Sequence, residues 1–140
     1  MADLSTLIRL HKHQLDEKRQ FLAQLYTSME GLDFHRRQLE ENFAREKELA
    51  KYNSDVNFTI SRYVEQVQNQ RKQMDDLKVQ LEKKIAEAKD SMMETFSELK
   101  KFEMTQAERD RLAAEERALK ETREMDAIGL ETFRRKSEEQ

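Results

Sequence analysis

From Leu4 to Ala50 the chain repeats a spacing of four and then three residues: Leu4, Ile8, His11, Leu15, Lys18, Leu22, Leu25, Met29, Leu32, Arg36, Leu39, Phe43, Glu46 and Ala50. Ten of these fourteen are apolar, which is the stripe one helix presents to another in a coiled coil. No proline interrupts it anywhere in the 140 residues. A disordered chain of similar composition would not hold such a stripe through nearly seven heptads, so long helices are predicted. Gly31 is the weak point of the first; a glycine in mid-helix costs about 1 kcal/mol relative to alanine.

A second stripe runs through Ile60, Tyr63, Val67, Gln70, Met74, Leu77 and Leu81, then Ile85, Ala88, Met92, Thr95, Leu99 and Phe102. Read this way, it slips by one four-residue step between Leu81 and Ile85, a stutter that locally unwinds a supercoil. Between the stripes lies a segment rich in Asn, Ser and Asp, residues whose side chains bond to nearby backbone and favour turns and caps. The chain is predicted to reverse over residues 52–58, with Asp55 or Thr59 at the N-cap of the second helix.

A short connection makes the helices antiparallel neighbours. If Ala50 lies near residue 60, facing residues have numbers adding to roughly 110: Leu25 opposite Ile85, Leu22 opposite Ala88, Leu15 near residue 95. The first helix, at 1.5 Å per residue, spans roughly 70 Å and covers the second only to about residue 106. Residues 107–136 are rich in helix formers but carry a thin stripe: Leu112, Leu119, Leu130 and Phe133 interleaved with Glu116, Arg123 and Asp126. The expected fold is therefore all-α, an antiparallel two-helix coiled-coil hairpin with a long C-terminal helical extension. It forms a single domain over residues 1–140, with helix 1 at about 3–51 and helix 2 at about 59–136.

Composition narrows the function. Charged residues make up 39% and apolar ones 36%, against about 25% and 45–50% in ordinary globular domains, so a thick core with an enclosed pocket is not expected. The absence of cysteine excludes thiolate chemistry. His11 and His13 are two residues apart, and such neighbours on a helix point away from each other; His35 lies off the seam. Acidic pairs such as Glu40-Glu41 and Asp75-Asp76 read as a solvated face, and no glycine-rich phosphate loop occurs. The net charge of −3 and short basic runs flanked by acids argue against nucleic acid. No enzyme activity, cofactor, metal or small-molecule substrate is expected. The opening residues Met1 to Leu4 lack the pattern of a secretory signal and no stretch would span a membrane, so the cytoplasm is the expected compartment.

Apolar residues off the seam are Leu7, Phe21 and Leu49 along one flank of the first helix, with Val64, Val79, Met93 and Phe96 as counterparts on the second. These read as a widened seam. Phe34, and Tyr52, Phe58 and Tyr63 near the reversal, are candidates for partner contact, since aromatic residues are enriched at interface hot spots.

The whole pattern resembles the FliJ/YscO family, the stalk proteins of flagellar and injectisome type III export apparatuses. The resemblance covers nearly the full length. It rests on the opening Leu4-Ser5-Thr6-Leu7-Ile8-Arg9-Leu10-His11 with Leu15 and Arg19, the Leu/Met heptads to residue 50, and the segments Tyr63-Val64-Glu65-Gln66-Val67 and Phe96-Ser97-Glu98-Leu99-Lys100-Lys101. The tail segments Glu121 to Ala127 and Phe133-Arg134-Arg135 complete it. It implies a non-enzymatic monomer that binds a hexameric export ATPase and its regulator, promotes ATPase assembly and activity, and couples it to the export gate, at the cytoplasmic side of the inner membrane. Some relatives also bind export chaperones. Carried over, the ATPase contact would comprise Leu4, Ile8, Leu15, Leu112, Leu119 and Phe133. The gate contact would comprise Phe43, Tyr52, Phe58, Tyr63 and Val67. A helical export chaperone for secreted filament subunits and a purely structural coiled coil are the competing readings.

Overall fold

A computed structural model describes residues 3–52 and 57–139, the side chains of residues 57–59 excepted. Two helices make up nearly all of it: α1, Ser5–Ala50, and α2, Asn57–Glu139. No strand occurs among the described residues. The reversal and Asp55 lie largely outside the described residues, and Thr59 falls inside α2, not at its cap. At the start of α1, the Asp3 carboxylate accepts from the Ser5 amide at 3.1 Å and from the Ser5 hydroxyl at 2.8 Å. It thereby satisfies an amide that the first turn leaves free. Those hydrogen bonds hold the Asp3 carboxyl below its ordinary pKa.

The chain divides into two compact units, residues 13–96 and residues 1–12 with 97–140. Within the first, α1 and α2 run antiparallel and Leu25, Ile85 and Ala88 form a buried cluster, with Leu22, Met29 and Leu81 packed on it. Leu25 and Ile85 have numbers adding to 110, as do Leu22 and Ala88 or Met29 and Leu81. Within the second, the Leu4 amide donates to the Gln106 side-chain carbonyl at 3.1 Å and His11 packs on Phe102 with ring centroids 4.9 Å apart.

Every position of the first stripe is buried or half-buried except Glu46. The second stripe differs from expectation. Gln70 and Leu77 are exposed, while Val64 and Arg71 are half-buried. Val64, Val67, Arg71, Met74, Lys78, Leu81 and Ile85 keep the four-three spacing unbroken, with Lys78 alone of them exposed, so no stutter is needed. The physical reason is Arg71. Its guanidinium forms two parallel hydrogen bonds with the Glu40 carboxylate and lies 5.0 Å from the centre of the Phe43 ring. Its stem covers apolar surface while its charge is satisfied.

The same pair sets an acid response. The Arg71 hydrogen bonds, helped by the charges of Arg71 and Arg36, hold the Glu40 carboxyl below its ordinary value of 4.5. A depressed folded pKa contributes stability that is present above the unfolded value and lost as pH falls through the folded one. Urea midpoints of the parent and of Glu40→Gln, compared at neutral pH and at about pH 3, are expected to fall less on acidification in the variant. Equal falls would assign no acid sensitivity to this pair.

One polar contact sits in the seam itself. Thr95 is buried, and its hydroxyl accepts from the Lys18 ammonium, which also donates to the Ser91 carbonyl at 3.3 Å. Gly31 needs no special conformation: its φ is not positive, and a Cβ added there meets nothing within 4 Å. Gly31→Ala is therefore expected to raise stability by about 1 kcal/mol in chemical denaturation. An unchanged midpoint would contradict this.

Candidate interaction surfaces

The sequence offered two groups of contact residues, and the structure places their members in different environments. Near the reversal, Phe43 stacks on Tyr63 with centroids 6.1 Å apart and planes 26° apart. The Lys47 ammonium lies 4.9 Å from the Phe43 centroid and the Arg71 guanidinium 5.0 Å. Cations this close to an aromatic ring are an electrostatically favoured arrangement, and Phe43 and Tyr63 are half-buried. Val67 is only 1% exposed; its side chain is used inside the seam and presents no surface. Tyr52, by contrast, is 82% exposed. The Phe58 side chain lies outside the described residues. Phe34 is exposed beside His35, as is His35 itself.

In the unit of residues 1–12 and 97–140, Leu4 is buried and Ile8 half-buried. Leu15, in the other unit, is also buried. His11 bridges locally. Its Nδ1 lies 2.8 Å from the Leu7 carbonyl oxygen and must carry the proton, because that oxygen can only accept. Its Nε2 is 3.4 Å from the Glu98 carboxylate. His13 turns outward to Glu17 at 2.9 Å. The two histidines thus have separate partners, and no group of residues among those described could hold a metal ion.

Past Gln106, α2 continues through 33 further described residues, all exposed except the half-exposed Glu131. Continuing the four-three register beyond Gln106 gives Arg109, Ala113, Glu116, Lys120 and Arg123, so the stripe that could have held another helix becomes charged. Exposed ion pairs three and four residues apart support the helix from within, from Arg111 to Glu108 and Glu115 and from Arg134 to Glu131. Arg111 lowers the Glu108 carboxyl through its hydrogen bonds. Leu112, Leu119 and Phe133 stand 47%, 59% and 71% exposed. They share one face of this helix, since seven residues is close to two turns.

The residues that sequence reasoning missed are Arg71 and Lys47, which flank Phe43. Their signal was available in outline, because Lys47 lies four residues after Phe43 and Arg71 faces Leu39 in the mirrored numbering. No family model matches the chain, and no curated protein or solved structure matches it. Among the described residues no helix is long and apolar enough to cross a membrane.

Proposed function

We propose that the chain is a non-enzymatic, stalk-like component of a type III protein export apparatus, which binds a hexameric export ATPase and links it to a membrane export gate. The observation that carries this reading is a seam that stops at Gln106 while the helix runs on, with Leu112, Leu119 and Phe133 exposed along one face. A lone helix in water is marginal without a packed face. It gains order on entering a partner, at an entropic cost that keeps the association reversible. The resemblance to the FliJ/YscO family over nearly the whole sequence supplies the kind of partner.

The buried state of Leu4 and Leu15 shifts the weight of the ATPase contact to the exposed residues of α2, with Ile8 at its margin. On the gate side, Tyr52 has the free surface, while Phe43 and Tyr63 are half-buried and Val67 serves the seam. The chain itself acts in the cytoplasm, held at the inner membrane through its partners.

The test is the turnover of a purified hexameric export ATPase with and without the purified chain. Raised turnover and more complete ring assembly are expected. An ATPase whose turnover and assembly ignore saturating amounts of the chain would refute the proposal.

A further inference from the structure

The two flanks of the seam in residues 13–96 are chemically unlike. Residues directly after the other seam positions, counted from Lys18 on α1 and from Val67 on α2, are mostly charged: Arg19, Asp33, Glu40 and Lys47 on α1, and Asp75, Glu82 and Lys89 on α2. This flank is latched by its own side chains. Arg71 holds Glu40, Arg36 reaches Glu40 at 3.7 Å and also pairs with Asp75, and Lys89 lies 5.7 Å from the Tyr26 ring. Residues directly before every second seam position, counted from Leu15 on α1 and from Val64 on α2, are Gln14, Phe21, Ser28, His35, Asn42 and Leu49 on α1, and Tyr63, Gln70, Leu77, Lys84 and Ser91 on α2. Among these only Lys84 carries a fixed charge.

That second flank is open. Phe21 is 52% exposed and stands beside a cavity of about 370 Å³, floored by Leu25 and the small residues Ala88 and Ser91. Lys18, Lys84 and Glu87 complete its wall. Among the described residues the Lys18 ammonium bonds to neutral oxygens, those of Ser91 and Thr95. Lys84 and Glu87 make no ion pair or hydrogen bond among the described residues. The groove therefore has an apolar floor, a half-free aromatic ring and two cations against one carboxylate.

We propose that this groove is the docking site of an amphipathic α-helix from another protein, apolar along one stripe and acidic beside it. This inference stands apart from the export reading above. Periodicity selects a helix as occupant. The flank residues recur every seven positions on both α1 and α2, about 10.5 Å at 1.5 Å per residue. A third helix matches that repeat with its own i and i+7 side chains, whereas a strand repeats on one face every 6.4–6.8 Å or so and falls out of step. Charge selects an acidic edge, because Lys18 and Lys84 outnumber Glu87, the one carboxylate in the lining of the groove. Charge also argues against a second copy of this chain, since a two-fold contact through the groove would bring the same surplus of lysine against itself. The mode is a helix laid into a groove, with Phe21 and Leu25 as its anchoring surface.

A designed helical peptide of about three heptads serves as the probe, with Leu and Ala on its inner stripe, Glu on both edges and one Trp on its outer face. The chain has no tryptophan, so the fluorescence of the peptide reports binding directly. Saturable binding to the full chain is expected, weakened at least about tenfold by Phe21→Glu. Lys84→Glu is expected to weaken the acidic peptide and to improve binding of a counterpart with Lys at its edges. Tyr26→Glu, on the latched flank, is expected to change neither. Circular dichroism melts show whether each variant keeps the fold. Failure of the acidic peptide to bind would overturn the proposal. So would equal binding of both peptides, or indifference to Phe21→Glu in a folded variant. So would sedimentation of the chain alone as a dimer that Phe21→Glu dissociates, which would make a second copy the occupant.

Discussion

Leu25→Asp is expected to abolish the cooperative thermal transition seen by circular dichroism, whereas Leu77→Asp shifts it by no more than about 2 °C. Both are leucines in regions of strong heptad pattern, and both change to the same charged residue. They differ in what surrounds them. Leu25 is buried in a cluster with Ile85 and Ala88, onto which Leu22, Met29 and Leu81 pack. Removing a buried leucine side chain costs about 2–5 kcal/mol through lost transfer energy and the cavity left behind. A carboxylate placed there adds the penalty of an unpaired charge in an apolar site. Domains have only about 5–15 kcal/mol of net stability. A two-helix seam has a thin core, and few side chains here are as well covered as Leu25. Leu77 is 49% exposed, one position before the seam, and its Asp replacement loses little contact. A large loss at Leu77 would restore a seam through Gln70 and Leu77 with a stutter after Leu81. Equal, small losses at both sites would deny the helix pairing altogether.

The second large effect is functional. Replacing Leu112, Leu119 and Phe133 together with Asp is expected to remove at least about nine-tenths of the stimulation of a hexameric export ATPase, in line with the loss of several anchoring side chains at one interface. The same triple variant is expected to unfold at nearly the parent temperature, because all three side chains are exposed and none packs on the seam. The combination matters. If the chain acts as proposed, a tail that docks in its partner loses function without losing fold. Full stimulation by the triple variant would take the tail out of the ATPase contact and return that role to the N-terminal end of α1. A large drop in melting temperature would mean that the tail is packed on the rest of the chain.

Much of the architecture was readable because a coiled coil writes its packing into residue spacing. The four-three stripe of α1 named its buried Leu15 and Leu25 and the half-buried polar His11, Lys18 and Arg36, while it missed the half-buried Gln14, Gly31 and Glu40 beside it; the mirrored numbering placed Leu25 opposite Ile85 without any structure. Where the reading failed, it counted hydrophobicity in place of register. Leu77 is apolar and Arg71 is charged, so a search for apolar residues chose the wrong column. Yet the mirror of Leu39 is residue 71 and that of Leu32 is residue 78, so the continuous register was implicit in the first stripe. Arg71 is half-buried because Glu40 and Phe43 on the facing helix satisfy it, and that compensation is not visible from its own neighbours in sequence. The interaction surfaces were legible in part. The charged residues that end the seam after Gln106 announced an unpartnered tail. Burial of Leu4, Leu15 and Val67 was announced by the same stripe, since a residue that closes the seam has little surface left to offer a partner. The unlike chemistry of the two flanks became apparent only once the register was fixed.

The central claim is that one polypeptide folds back so that α1 and α2 pair in register. Because the chain has no cysteine, spin labels can be attached at Tyr26→Cys and Lys89→Cys alone, two exposed sites on the same flank of the seam. The labelled protein is diluted with unlabelled chain so that only distances within one molecule are read. Pairing of neighbouring helices at about 8–10 Å predicts a narrow distribution below about 2.5 nm once the label arms are included. A single continuous helix would separate the two sites by about 95 Å at 1.5 Å per residue, and a distribution centred anywhere near that distance would contradict the account.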